Sequence, residues 1–105
     1  GGLLVNDAAT GDLVYRKVLT LAPRTQYWNW AGTSMSPALA GKNIYLMDNQ
    51  GHTLVLKPGR EYQELARNTL EEFNGKELVQ SVSTPIFEGT RMYFRTPGYL
   101  YCIGK

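Results

Sequence analysis

A chain of 105 residues, 43% apolar and 19% charged, has the size and composition of one globular domain. The net charge is only +2 and the basic residues are scattered from Arg16 to Lys105, which argues against the clustered basic stripe of a nucleic-acid binder. A single cysteine permits no internal disulfide, no Cys/His pair has metal-ligand spacing, and no apolar run approaches the ~20 residues of a transmembrane helix.

The chain opens "GGLLV", already inside an apolar strand-like run, with neither a start methionine nor a signal peptide. That beginning is expected of a piece cut from a longer protein. Residues 2–6 read as a strand, "DAATGD" as a turn, and 13–20 as a second strand. The long connection "APRTQYWNWAGTSM" (22–35) follows. Strands are expected next at 35–40, 43–48 and 52–57, separated by Gly and by the polar turn Asp48-Asn49-Gln50-Gly51. "NIYLM" (43–47) is apolar on successive positions, the mark of a strand covered on both faces.

The segment 60–73 has two readings. Tyr62, Leu65, Ala66, Thr69, Leu70 and Phe73 share one face of an ideal helix. As a strand at 61–69, the same residues give 52–57 a partner for its backbone edge, with a helical turn allowed at 70–74. Strand is the preferred reading. The remaining strands are expected at 79–87, 91–96 and 99–103, with Cys102 as a small buried hydrophobe in "YLYCIG".

The second half repeats the first. Moving 48 positions carries Pro37 to Pro85, Gly41 to Gly89, Tyr45 to Tyr93 and Gly11 to Gly59. A one-residue slip matches Gly51 to Gly98 and "TLVL" (53–56) to "LYCI" (100–103). The 48-residue offset also lays Tyr62–Ala66 over Val14–Val18. A period near 48 built of short apolar runs between Gly, Pro, Asn and Asp lies in the range of propeller repeats, ~40–50 residues. The expected fold is therefore all-β, with four-stranded antiparallel propeller blades, about two of them, in one partial domain spanning 1–105. Residues 1–20 would end one blade, 35–69 make a complete one, and 79–103 form a last blade lacking its outer strand.

"LLVNDAATGDLVYR" (3–16) resembles the signature of the PQQ-repeat, or quinoprotein-type, β-propellers: a strand, D-x-x-T-G-x, then an aromatic and a basic residue. "SPALAGKNIYL" (36–46) and "TPIFEGTRMYF" (84–94) are similar to that family's small-residue–Pro–x–x–x–Gly opening with its apolar-Tyr strand. The second D-x-x-T-G loop is degraded to "KPG". The resemblance spans essentially the whole chain and implies the last blades of a longer, exported bacterial protein, periplasmic or extracellular. Some members of the family are oxidoreductases holding pyrroloquinoline quinone and calcium on the propeller axis. Others carry no cofactor and act as scaffolds or protein-binding modules. No quinone or calcium ligand maps onto this sequence, so a non-catalytic scaffold without cofactor is the leading expectation. A fragment of a PQQ- and calcium-dependent dehydrogenase is the alternative. The open blade edges imply a protein partner or self-association.

The candidate binding residues are Tyr27, Trp28, Asn29 and Trp30 in the 22–35 connection. They read either as an aromatic binding loop or as rings plugging the gap between blades. On the first reading, a carbohydrate-binding propeller is a second alternative. His52 reads as a solvated loop residue, Asp48, Asn49 and Gln50 as a polar turn, and Glu71 and Glu72 as a solvated edge. No catalytic or metal-binding residue is assigned. One His gives a Ser/His/Asp triad no support, and no Gly-rich phosphate loop occurs.

Overall fold

Strands that are apolar on successive residues need cover on both sides, and the computed structural model shows what supplies it. It describes residues 2–19, 36–48, 51–70, 83–96 and 98–104. Among these there are nine strands and no helix. They are β1 (Gly2–Asn6), β2 (Leu13–Val18), β3 (Ala38–Ala40), β4 (Asn43–Met47), β5 (His52–Leu56), β6 (Glu64–Thr69), β7 (Ile86–Glu88), β8 (Arg91–Arg95) and β9 (Leu100–Gly104). All pairings are antiparallel between chain neighbours, giving a two-stranded first sheet (β1-β2), a four-stranded middle sheet (β3-β4-β5-β6) and a three-stranded third sheet (β7-β8-β9).

The middle sheet buries apolar side chains on both faces. Ile44, Leu46, Leu54 and Leu56 cluster with Leu3 of β1 and with Leu19, the residue after β2. The alternate residue Met47 packs instead on Phe94, with Met92 and Tyr101 of the third sheet around it. Cross-strand pairs preserve the sorting: Ile44 sits opposite Leu56 and Leu46 opposite Leu54, while Tyr45 faces Val55. Leu54 has no exposed surface and Leu46 and Leu56 very little. Each such side chain contributes roughly 1.5–3 kcal/mol by leaving water.

The internal repeat has a structural counterpart. The β3–β4 hairpin pairs Ala38 with Tyr45 and Ala40 with Asn43; β7–β8 pairs Ile86 with Tyr93 and Glu88 with Arg91, 48 residues later. The third strand runs 47 residues later, since Leu46 pairs with Leu54 but Phe94 with Tyr101. That is the slip seen in the sequence. Gly41 and Gly89 close the two hairpins at φ 57° and 58°, a left-handed conformation that side chains resist.

Two readings change. Residues 64–69 form a strand, not a helix, but its match to β2 lies 51 residues away, not 48: Glu64–Thr69 corresponds to Leu13–Val18. Both pairs carry the same irregularity, at Val5/Asn6 and at Val55/Leu56, which fixes the correspondence. Every residue of β6 is exposed, so backbone pairing holds this strand and burial leaves no register signal in its side chains. Cys102 is exposed, not buried. It sits opposite Tyr93, on the face of the third sheet turned away from the Met92–Phe94–Tyr101 cluster, and no described sheet covers it.

Candidate functional site

Where the third sheet lies over the middle one, the two leave a cleft of about 720 Å³. Its middle-sheet wall includes Asn43 and Tyr45 of β4, Thr53 of β5 and Asn68 of β6. Register places these on one face: Thr53 pairs with Met47 and with Asn68, and Met47 points at the third sheet. The opposite wall presents Phe87, Met92 and Ile103, with Thr90 and Arg91 also lining it where β7 turns into β8. Tyr45 and Phe87 meet across the gap with ring centroids 4.7 Å apart and planes tilted by 46°. No carboxylate lines the cleft among the described residues, whereas Lys42, in the β3–β4 turn, and Arg91, at the start of β8, are among the residues that do.

Thr53 is only 6% exposed, and its hydroxyl makes no hydrogen bond among the described residues. A buried hydroxyl left without a partner costs about 1–3 kcal/mol. The amides of Asn43 and Asn68 are likewise unbonded to described residues, so this wall offers a row of neutral hydrogen-bonding groups. Sequence reading passed over all of them. They come from three strands and become neighbours only through sheet register; their one local signal is that Asn43 follows the Gly41 turn.

A second polar feature closes the β4–β5 turn. Asp48 is 2% exposed and accepts the His52 backbone N–H at 2.8 Å through Oδ1, while its Oδ2 lies 2.7 Å from His52 Nδ1. The Asp48 N–H in turn donates to the His52 carbonyl at 3.0 Å. His52 is thus the first residue of β5, half-buried and paired, where the sequence suggested a solvated loop residue. In the third sheet Thr96 takes the same place. Its Oγ1 accepts the Tyr99 N–H at 3.1 Å, and its own N–H donates to the Tyr99 carbonyl at 2.9 Å. The buried carboxylate is therefore a turn device first, since a threonine serves in the neighbouring sheet.

The D-x-x-T-G loop is explained in the same way. Asp7 Oδ1 accepts the N–H groups of Ala9 and Thr10 at 2.9 and 3.2 Å, and Gly11, at φ 78°, returns its N–H to the Asp7 carbonyl. These backbone N–H groups, Ala9's first, hold the Asp7 carboxyl below the usual carboxylate range. Between the first and middle sheets, Tyr62 meets Tyr15 edge-on at 6.5 Å and lies under the Lys17 ammonium at 5.0 Å. Glu64 accepts from Arg67 Nε at 3.0 Å and from the Tyr62 hydroxyl at 2.8 Å, which lowers its pKa, the arginine bond contributing most. Burial, and then the bond to Glu64, raises that of Tyr62.

Calcium takes roughly six to eight oxygen ligands. The carboxylates just described do not fit such a site. Those of Asp7, Asp48 and Glu64 are engaged by donors of the chain itself and lie in three separate places. Among the described residues no three His, Cys, Asp or Glu side chains are grouped to hold a metal. Tyr27, Trp28, Asn29 and Trp30, with Asn49, Gln50, Glu71 and Glu72, lie outside the described residues. No helix among the described residues is long and apolar enough to cross a membrane. Comparison with protein-family models, curated proteins and solved structures gives no match to this chain.

Proposed function

We propose that the three sheets are successive blades of a quinoprotein-type β-propeller, about two blades' worth, and that the segment is a non-catalytic scaffold binding protein through its uncovered sheet face. One observation carries this reading: the middle and third sheets share pairing registers and pack in the same sense. Ile44 and Leu46 turn toward the sheet before them, as Met92 and Phe94 do 48 residues later. By the same repeat, the face bearing Tyr93, Leu100 and Cys102 corresponds to that of Tyr45, Thr53 and Val55, which the third sheet covers. Ile86 and Leu100 on the uncovered face are 68% and 75% exposed. Apolar side chains in that register suit a further sheet, supplied by another copy or by a partner protein.

Sedimentation velocity tests this on the chain and its Leu100→Glu variant. The expected result is a mass that rises with concentration for the parent and stays monomeric for the variant. Two chains that both remain monomeric at every concentration would remove the support for self-association. The dehydrogenase alternative is tested by adding pyrroloquinoline quinone and calcium; stoichiometric uptake with dye-linked oxidation would overturn the scaffold reading. The carbohydrate alternative, as first framed, rests on Trp28 and Trp30, outside the described residues.

A further inference from the structure

We propose that the cleft between the middle and third sheets binds a neutral carbohydrate of about disaccharide length. A volume of about 720 Å³ falls within the ~300–1,000 Å³ of small-molecule sites. The two walls differ in the way a sugar ring does. Phe87, Met92 and Ile103 offer an apolar surface for the C–H face of a pyranose. The opposite wall offers Asn43, Thr53 and Asn68, each both donor and acceptor, as hydroxyl groups are. Thr53 is the strongest pointer: the residue lines the cleft, is buried, and its hydroxyl has no partner among the described residues.

Length follows from register. Thr53 stands opposite Met47, four strand positions from Asn43, so these hydrogen-bonding groups span roughly 13 Å along the sheet. One ring cannot reach both ends; two linked rings can. Register argues for a neutral ligand, since the strand side chains that face each other across the cleft, from Asn43, Tyr45, Thr53 and Asn68 to Phe87, Met92 and Ile103, are uncharged. Two cations are also among the lining residues: Lys42 lies in an exposed turn, and strand alternation sends the Arg91 side chain to the outer face with Tyr93. The site lies wholly between two described sheets, so the inference does not depend on the blade reading.

The test titrates the isotope-labelled chain with maltose, cellobiose and N,N′-diacetylchitobiose, following backbone amide shifts by NMR. Saturable shifts at residues 43–45, 53, 68 and 87–92 are expected for at least one sugar. Thr53→Val keeps the side-chain shape and removes the hydroxyl. It is expected to weaken that binding about threefold to tenfold while leaving the melting temperature unchanged or raised. Asn68→Ala, on an exposed strand, is expected to weaken binding by a similar factor and provides a check independent of the core. The proposal is overturned if none of the three sugars saturates, or if both variants bind as the parent does. It is also overturned if an extended neutral peptide of matching length binds the same residues more tightly than every sugar.

Discussion

Replacing Asp48 by alanine removes two hydrogen bonds at once, those to the backbone N–H and the Nδ1 of His52, at 2.8 and 2.7 Å. Bonds to a charged group contribute about 1.5–3 kcal/mol each. The lower end applies here, because the imidazole is 20% exposed and water can replace part of its bond. The expected loss is therefore about 3 kcal/mol, a large share of the ~5–15 kcal/mol that holds a domain together. Thr96 shows what a smaller side chain can do in the same turn. Asp48→Thr should keep the backbone bond and lose only the imidazole one, at about half the cost. Urea unfolding followed by far-UV circular dichroism separates the two: the alanine midpoint should fall by roughly 1–3 M and the threonine midpoint by about half as much. A loss below about 0.5 kcal/mol for alanine, or equal losses for both variants, would refute the view of this carboxylate as the turn's hydrogen-bonding cap.

Three further outcomes are expected. The lowered carboxyls of Asp7 and Glu64 stabilise the fold above their unfolded pKa values of about 4, and that stability is lost as pH falls through the folded values; equilibrium unfolding between about pH 5 and 2 should show a shallower decline in Asp7→Asn and Glu64→Gln than in the parent. Gly104 sits at φ 150°, and a Cβ there would run into the Thr90 carbonyl oxygen and come within 2.9 Å of the Arg91 Cα; Gly104→Ala should cost about 1–3 kcal/mol and weaken hydrogen-exchange protection in β8 and β9 before the middle sheet. Exposed Cys102 should react with a thiol reagent in the folded monomer, at low concentration, as fast as after unfolding, and more slowly as the concentration rises and this face is covered; a rate equally slow at every concentration would count against an uncovered face.

What the sequence disclosed and what it withheld follow one physical division. Strand positions were legible wherever the sequence itself records burial on two faces or a turn that needs glycine. "NIYLM" and the Gly41/Gly89 pair fall in this group, and there the expected bounds of β4 and β8 differ from the observed ones by a single residue. The outer strand's register was not legible, because β6 is exposed throughout and the connection before it, 57–63, is longer than the corresponding 7–12. Exposure of Cys102 was hidden for a different reason. The run "YLYCIG" is apolar on both faces of its strand, so local composition reads as covered whether or not a cover is in place. The cleft is harder still to foresee. Asn43, Thr53 and Asn68 look like ordinary turn and strand residues in one dimension, and only pairing through Met47 places their polar groups on one wall. A strand's turn chemistry and two-sided burial are local properties and survive in the sequence. A binding wall assembled from alternate residues of three strands is a property of register, and it becomes visible only when the strands are paired.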